Sequence, residues 1–132
     1  GGKITKEMPN LPSPPLEEAL DAIKKSDEKR AREVASFYAD LFNSISRVSG
    51  LVRAGGYVCY VVGNRKVKGV ILPTDEAIRH FFEQFDFEYV DTFHRSIPNK
   101  RMPLRNSPTN AAGAVDNTMT REYIVVMRRR EG

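Results

Sequence analysis

The side chains that could do chemistry in this sequence gather in one short run. His94-Arg95-Ser96-Ile97-Pro98-Asn99-Lys100-Arg101-Met102-Pro103 combines cations, an amide and stiffening prolines. Lys and Arg meet phosphate oxygens, while Asn and Arg can read base edges through paired hydrogen bonds. From Thr92 to Val115 there is no acid, yet Arg95, Lys100, Arg101 and Arg105 are present. The run suits a polyanion, with a solvated loop as the plain alternative. The terminal Arg128-Arg129-Arg130 could add phosphate contacts in a small basic nucleic-acid module.

Other chemistries fail on inspection. There is no Gly-x-Gly-x-x-Gly, no Gly-x-x-x-x-Gly-Lys-Ser/Thr and no Gly-x-Ser-x-Gly. His80 and His94 are the only imidazoles, and with a single cysteine they do not assemble a zinc site. Cys59 sits mid-run between Val58 and Tyr60, where a thiol is expected to be buried, with a raised pKa, as a small core residue and not a nucleophile.

The elements that must position these groups follow from periodicity and punctuation. The opening stretch to Pro15 carries four prolines and reads as an extended arm (residues 1–15), with Ser13 as a cap for a short helix from about Pro14 to Lys25. Ser26 is expected to cap a long helix ending at Gly55-Gly56. Its apolar stripe of Ala31, Val34, Tyr38, Leu41, Ile45, Val48 and Val52 suits a helix lying on a sheet face. Tyr57 to Val62 is a continuous β-branched and aromatic run, the pattern of an inner parallel strand covered on both faces. Val67 to Leu72 is a second extended stretch, either a hairpin partner or a crossing segment. Thr74 caps a helix from Asp75 to about Phe85. Phe87 to Ile97 reads as a strand with Phe87, Tyr89 or Val90, and Phe93 inward. Arg121 to Met127 is another, and residues 98–120 form one long loop between them, of the kind that is functional or disordered.

With 132 residues and 40% hydrophobic content the chain can build one core. The net charge is +4 and the pI about 9.3. Residues 1–33 carry equal numbers of acids and bases, so the whole excess belongs to the remainder. One cysteine excludes an intrachain disulfide and, without a signal-like N-terminus, points to the cytoplasm; no apolar run is long enough to span a bilayer.

Four pieces in order, Gly55-Gly56-Tyr57-Val58-Cys59-Tyr60-Val61-Val62-Gly63-Asn64, Gly69-Val70-Ile71-Leu72-Pro73-Thr74-Asp75, Arg95-Ser96-Ile97-Pro98-Asn99-Lys100-Arg101-Met102-Pro103 and Thr118-Met119-Thr120-Arg121-Glu122-Tyr123-Ile124-Val125-Val126, resemble the C-terminal half of bacterial site-specific DNA methyltransferases of restriction-modification type. The resemblance covers roughly residues 30–130. It implies an α/β fold, a partial Rossmann-like methyltransferase sheet with flanking helices over residues 16–132, and an activity that moves a methyl group from S-adenosylmethionine to an exocyclic amine of adenine or cytosine in DNA. It also places His94, Arg95, Asn99, Lys100, Arg101, Met102 and Arg105 beside an extruded target base, and Gly63, Asn64 and Arg65 at the sheet edge.

The family's glycine turn for S-adenosylmethionine and its Asp/Asn/Ser-Pro-Pro-Tyr/Phe motif are absent here; Pro14-Pro15 is followed by Leu16. The resemblance therefore implies no catalytic residue in this chain, inactivity alone, and a companion methyltransferase half. The Gly1-Gly2 start fits a piece of a longer enzyme. A strand run apolar on both faces favours recruitment of that half or homodimerisation, because each uncovered large side chain forgoes about 1.5–3 kcal/mol.

Overall fold

The computed structural model describes residues 10–98 and 119–132. Helix α1 (Pro14–Ser26) starts where two prolines occupy the first turn, whose N–H groups have no intrahelical acceptor. It buries Leu16, Ala19, Leu20 and Ile23 on one side. Ser13 has the extended backbone of a cap but makes no capping bond. Its buried hydroxyl instead lies 2.8 Å from His80 Nδ1, and Leu11 is buried beside it, so the described end of the arm is fastened to the body.

Helix α2 (Glu28–Ser49) is capped by Asp27, which accepts from the Arg30 N–H at 2.9 Å. The expected cap, Ser26, closes α1 by donating to the Ile23 carbonyl. A carboxylate prevails at the cap because it also meets the positive end of the helix. That backbone bond, together with Lys68 at 3.2 Å, holds the Asp27 carboxyl below its ordinary value of 3.8. A depressed folded-state value means that the contribution is fully present above 3.8 and is lost as pH falls through the lower value. Asp27→Asn is therefore expected to be less stable than the parent at neutral pH, with the gap closing on acidification, as denaturant midpoints across a pH series would read.

The second helix ends at Ser49, short of Gly55, and packs mainly on α1 and α3. The expected sheet contact belongs to α3 (Thr74–Glu83), which lies across all three strands of the main sheet. Stripe width fixes how much of a helix is buried, not against what. Strand β1 (Tyr57–Gly63) begins after Gly55, whose φ of 80° is the left-handed conformation that favours glycine.

Residues 66–71 form neither a partner of β1 nor a plain crossing. They fold into a small hairpin, β2 (Lys66–Val67) with β3 (Val70–Ile71), turned through Lys68 and Gly69 at positive φ. Strands β4 (Phe87–Pro98) and β5 (Met119–Arg129) complete a sheet of order β1-β5-β4, in which β5 is antiparallel to both neighbours. The chain is thus mixed α/β. The parallel, doubly wound part of a Rossmann-like sheet is not seen among the described residues.

Within that sheet β1 is an edge strand, and its residues alternate between exposed and half-buried. The inner, doubly covered placement is not what the described residues show. Val58, Tyr60 and Val62 face the helices; Tyr57, Cys59 and Val61 face away, and Cys59 is exposed and not a core residue. A continuous apolar run cannot say whether the second cover comes from the same residues. The core lies on the other face, where Phe82 meets Tyr60 and Phe87 at ring separations of 5.2 and 4.9 Å.

A candidate nucleic-acid interface at the carboxyl edge of the sheet

Because β5 runs antiparallel to both neighbours, β1 and β4 point the same way, and their carboxyl ends share an edge with the start of α3. Asn64, just past β1, ties that edge together. Its Oδ1 accepts from the N–H groups of Thr74 at 3.0 Å and Asp75 at 3.3 Å, and its Nδ2 donates to Asp75 Oδ1 at 2.9 Å. The expected self-cap at Thr74 is therefore replaced by a cap from another segment, which frees the Thr74 hydroxyl to lie 2.6 Å from the Tyr38 hydroxyl. Burial raises the Tyr38 phenol above its ordinary 10.0.

Two clefts flank this knot. One, of ≈ 220 Å³, lies between Phe37 and Tyr38 of α2 and the segment Val62, Gly63, Arg65 and Thr74. The other, of ≈ 270 Å³, is bounded by Asp75, Glu76 and Arg79 of α3 and by Tyr89, Thr92, His94 and Tyr123 of the sheet. A β-bulge builds the second one. Tyr89 pairs with Met127 and Asp91 with Val126, so Val90 is the extra residue. Past the bulge the parity of β4 reverses: Thr92 and His94 turn toward α3, while Phe93, expected inward, is 57% exposed on the far face. Across the strands His94 pairs with Tyr123, their rings 5.9 Å apart.

The adjacent residues His94 and Arg95, grouped together by sequence, are thus parted onto opposite faces. Arg95 joins Glu122 at 3.1 Å on the face away from the helices. Gly63 and Arg65 line the smaller cleft, whereas the Asn64 amide is committed to the start of α3. Asn99, Lys100, Arg101, Met102 and Arg105 lie outside the described residues. Sequence alone does not single out Asp75, Glu76, Arg79, Tyr89, Thr92 and Tyr123: the acids have the pattern of helix-start residues, and only strand register brings Tyr123 to His94.

The arginines at the end of β5 stand at the opposite edge, across from Tyr57 and Phe87. Arg128 binds Glu88 at 3.0 Å and also Glu131, which raise its pKa. Arg129 donates to the carbonyls of Ser49 and Val52, and Arg130 faces Asp86 and Glu88 at 3.8 Å. Arg128 and Arg129 are thus tied within the chain, while the Arg130 side chain stays largely exposed. Among the described residues no cluster of His, Cys, Asp and Glu could hold a metal ion, and no helix is long and apolar enough to cross a membrane.

No family model matches the chain. The type II methyltransferase M.MvaI of Kocuria varians is 40% identical over 134 residues, a match that covers 97% of this chain and 30% of that protein. The crystal structure of a candidate DNA modification methylase from Thermus thermophilus aligns with a TM-score of 0.54 at 19% identity, over 81% of this chain and 42% of that one, a likeness of fold. Over nearly its whole length the chain is thus similar to part of a type II methyltransferase, and it spans less than a third of that relative.

Proposed function

We propose that this chain supplies the target side of a DNA methyltransferase that transfers a methyl group from S-adenosylmethionine to an exocyclic amine of adenine or cytosine. The observation that carries the reading is the 40% identity to M.MvaI across 97% of the chain, with only 30% of that protein spanned. Such an enzyme works on DNA in the cytoplasm. His94, Arg95, Asn99, Lys100, Arg101, Met102 and Arg105 would hold the DNA strand and the extruded base, with Gly63 and Arg65 at the adjoining edge.

Among the described residues, the segment between β1 and α3 is not built as a cradle for S-adenosylmethionine. The passage from β1 to α3 runs through the β2–β3 hairpin in place of a glycine turn, and its one amide, Asn64, is taken up by α3. The methyl donor is therefore assigned to the rest of the enzyme. Support for such a companion comes from the sheet. Tyr57, Val61, Val90 and Phe93 are exposed on the face opposite the helices, and an apolar surface of this kind marks an interaction site.

Duplex binding by the full chain tests the reading. Affinity should fall with salt by about 0.9 log units per log unit of salt for each phosphate contact, and Lys100→Ala and Arg101→Ala should each lower that slope by about one. A flat salt dependence would remove the DNA role. Saturable micromolar binding of S-adenosylmethionine to the chain alone would overturn the division of labour.

A further inference from the structure

We infer that the bare face of the main sheet is the interface of a two-fold dimer of this chain, in which two sheets pack face to face with their strands antiparallel. The inference does not rest on the DNA reading. It concerns the chain without its companion, which would otherwise take the same face.

Strand register lays that face out in four rows. Glu88, Arg128 and Tyr57 form the first, and Asp91, Val126 and Cys59 the second. Phe93, Ile124 and Val61 form the third, and Arg95, Glu122 and Gly63 the fourth. The two middle rows make an apolar band with Asp91 at its outer edge. The end rows carry cross-strand ion pairs, Arg128 with Glu88 at 3.0 Å and Arg95 with Glu122 at 3.1 Å. These pairs run in opposite senses: β4 supplies the acid in the first row and the base in the fourth. That reversal makes the face complementary to itself.

A patch that covers its own copy does so about a two-fold axis. With the axis lying across the strands, the first row of one copy meets the fourth row of the other, strand over like strand. Glu88 then faces Arg95 of the second copy and Arg128 faces its Glu122, while the apolar rows close on each other. With the axis along the strands each row would meet itself, and Arg128 would face Arg128 on the central strand. Like charges set against each other across an interface are strongly unfavourable, so the charges choose the first arrangement. Packed sheets lie about 10 Å apart with their strands within about 30° of each other, a gap that an arginine and a glutamate span together. The rows cover only about 20 Å of strand, a small interface, so the dimer is a weak one that depends on concentration. Arg95 cannot serve this contact and a DNA strand at once; the dimer is therefore a form of the chain free of duplex.

Sedimentation velocity of the full chain should show a monomer–dimer equilibrium. Cys59, the only cysteine, is exposed on this face, and its rate of reaction with a maleimide should fall at least threefold from dilute to concentrated chain. Arg95→Glu with Glu122→Arg keeps an ion pair in the fourth row but reverses it, and should weaken dimerisation at least tenfold. Glu88→Arg with Arg128→Glu should do the same from the first row. Mixed in equal amounts, the two variants should pair within threefold of the parent's affinity, because opposite charges then meet at both ends. A merely sticky apolar face would show no such rescue. A parent that stays monomeric, assembly beyond dimers, a Cys59 rate that ignores concentration, or a fourth-row variant that dimerises like the parent each overturns the inference. A mixture of the two folded variants that stays monomeric overturns it as well. Should the first-row variant fail to fold, the fourth-row variant and the thiol decide.

Discussion

Phe82→Ala should destabilise the chain by about 3–5 kcal/mol, the usual cost of emptying a fully buried aromatic site. Phe82 has no exposed surface. Its ring touches Tyr60 of β1 on one side and Phe87 of β4 on the other, so a single side chain of α3 joins the helix layer to both outer strands of the main sheet. The neighbours are rings held at fixed inclinations and cannot collapse smoothly into the void. Phe82→Leu keeps much of the volume and should cost less than half as much. Denaturant midpoints read both. A cost below about 1 kcal/mol for the alanine variant, far under the range for such a site, would mean that α3 does not anchor the sheet.

The second large effect concerns the bare face of the sheet. Val61, Ile124 and Phe93 lie in one row across the three strands, with Val61 58% and Phe93 57% exposed. Without a companion this row should drive the full chain to self-associate, and Val61→Lys combined with Phe93→Lys should weaken that association about a hundredfold, since aromatic and aliphatic anchors dominate such interfaces. Both positions are exposed, so the folded chain should keep its thermal midpoint within a few degrees. Sedimentation velocity over a concentration series measures the effect. A parent that stays monomeric at high concentration would show that this face needs no cover.

Much of the architecture is legible in the residues because it depends on local rules. The prolines at 14 and 15, the three-and-four spacing of α2 and the acids that open α3 set where the helices start, although α2 stops at Ser49 and not at Gly55. Cys59 is the instructive failure. An apolar run tells that both sides of a strand dislike water, not that both are covered by the residues at hand. The caps differ for another reason: Asn64 reaches α3 from across a hairpin, and no window along the chain contains both partners in their folded relation. The site is hidden more deeply still. One extra residue at Val90 exchanges the directions of Phe93 and His94, and the sequence carries no mark of it, since Val90-Asp91-Thr92 reads as well in regular pleat as in a bulge.

The arrangement of the main sheet has a consequence for how it comes apart. Both ladders of the main sheet run through β5, and β1 and β4 share no ladder with each other. Hydrogen exchange should therefore find the amides of β1 and β4 that bond to β5 opening in one concerted event with it. The order of assembly is constrained in the same way: the first strand made has to wait, unzipped, for the last, so formation of this sheet is a slow, long-range search, and a trapped state would be one with β1 already made and its bonding groups still seeking a mate.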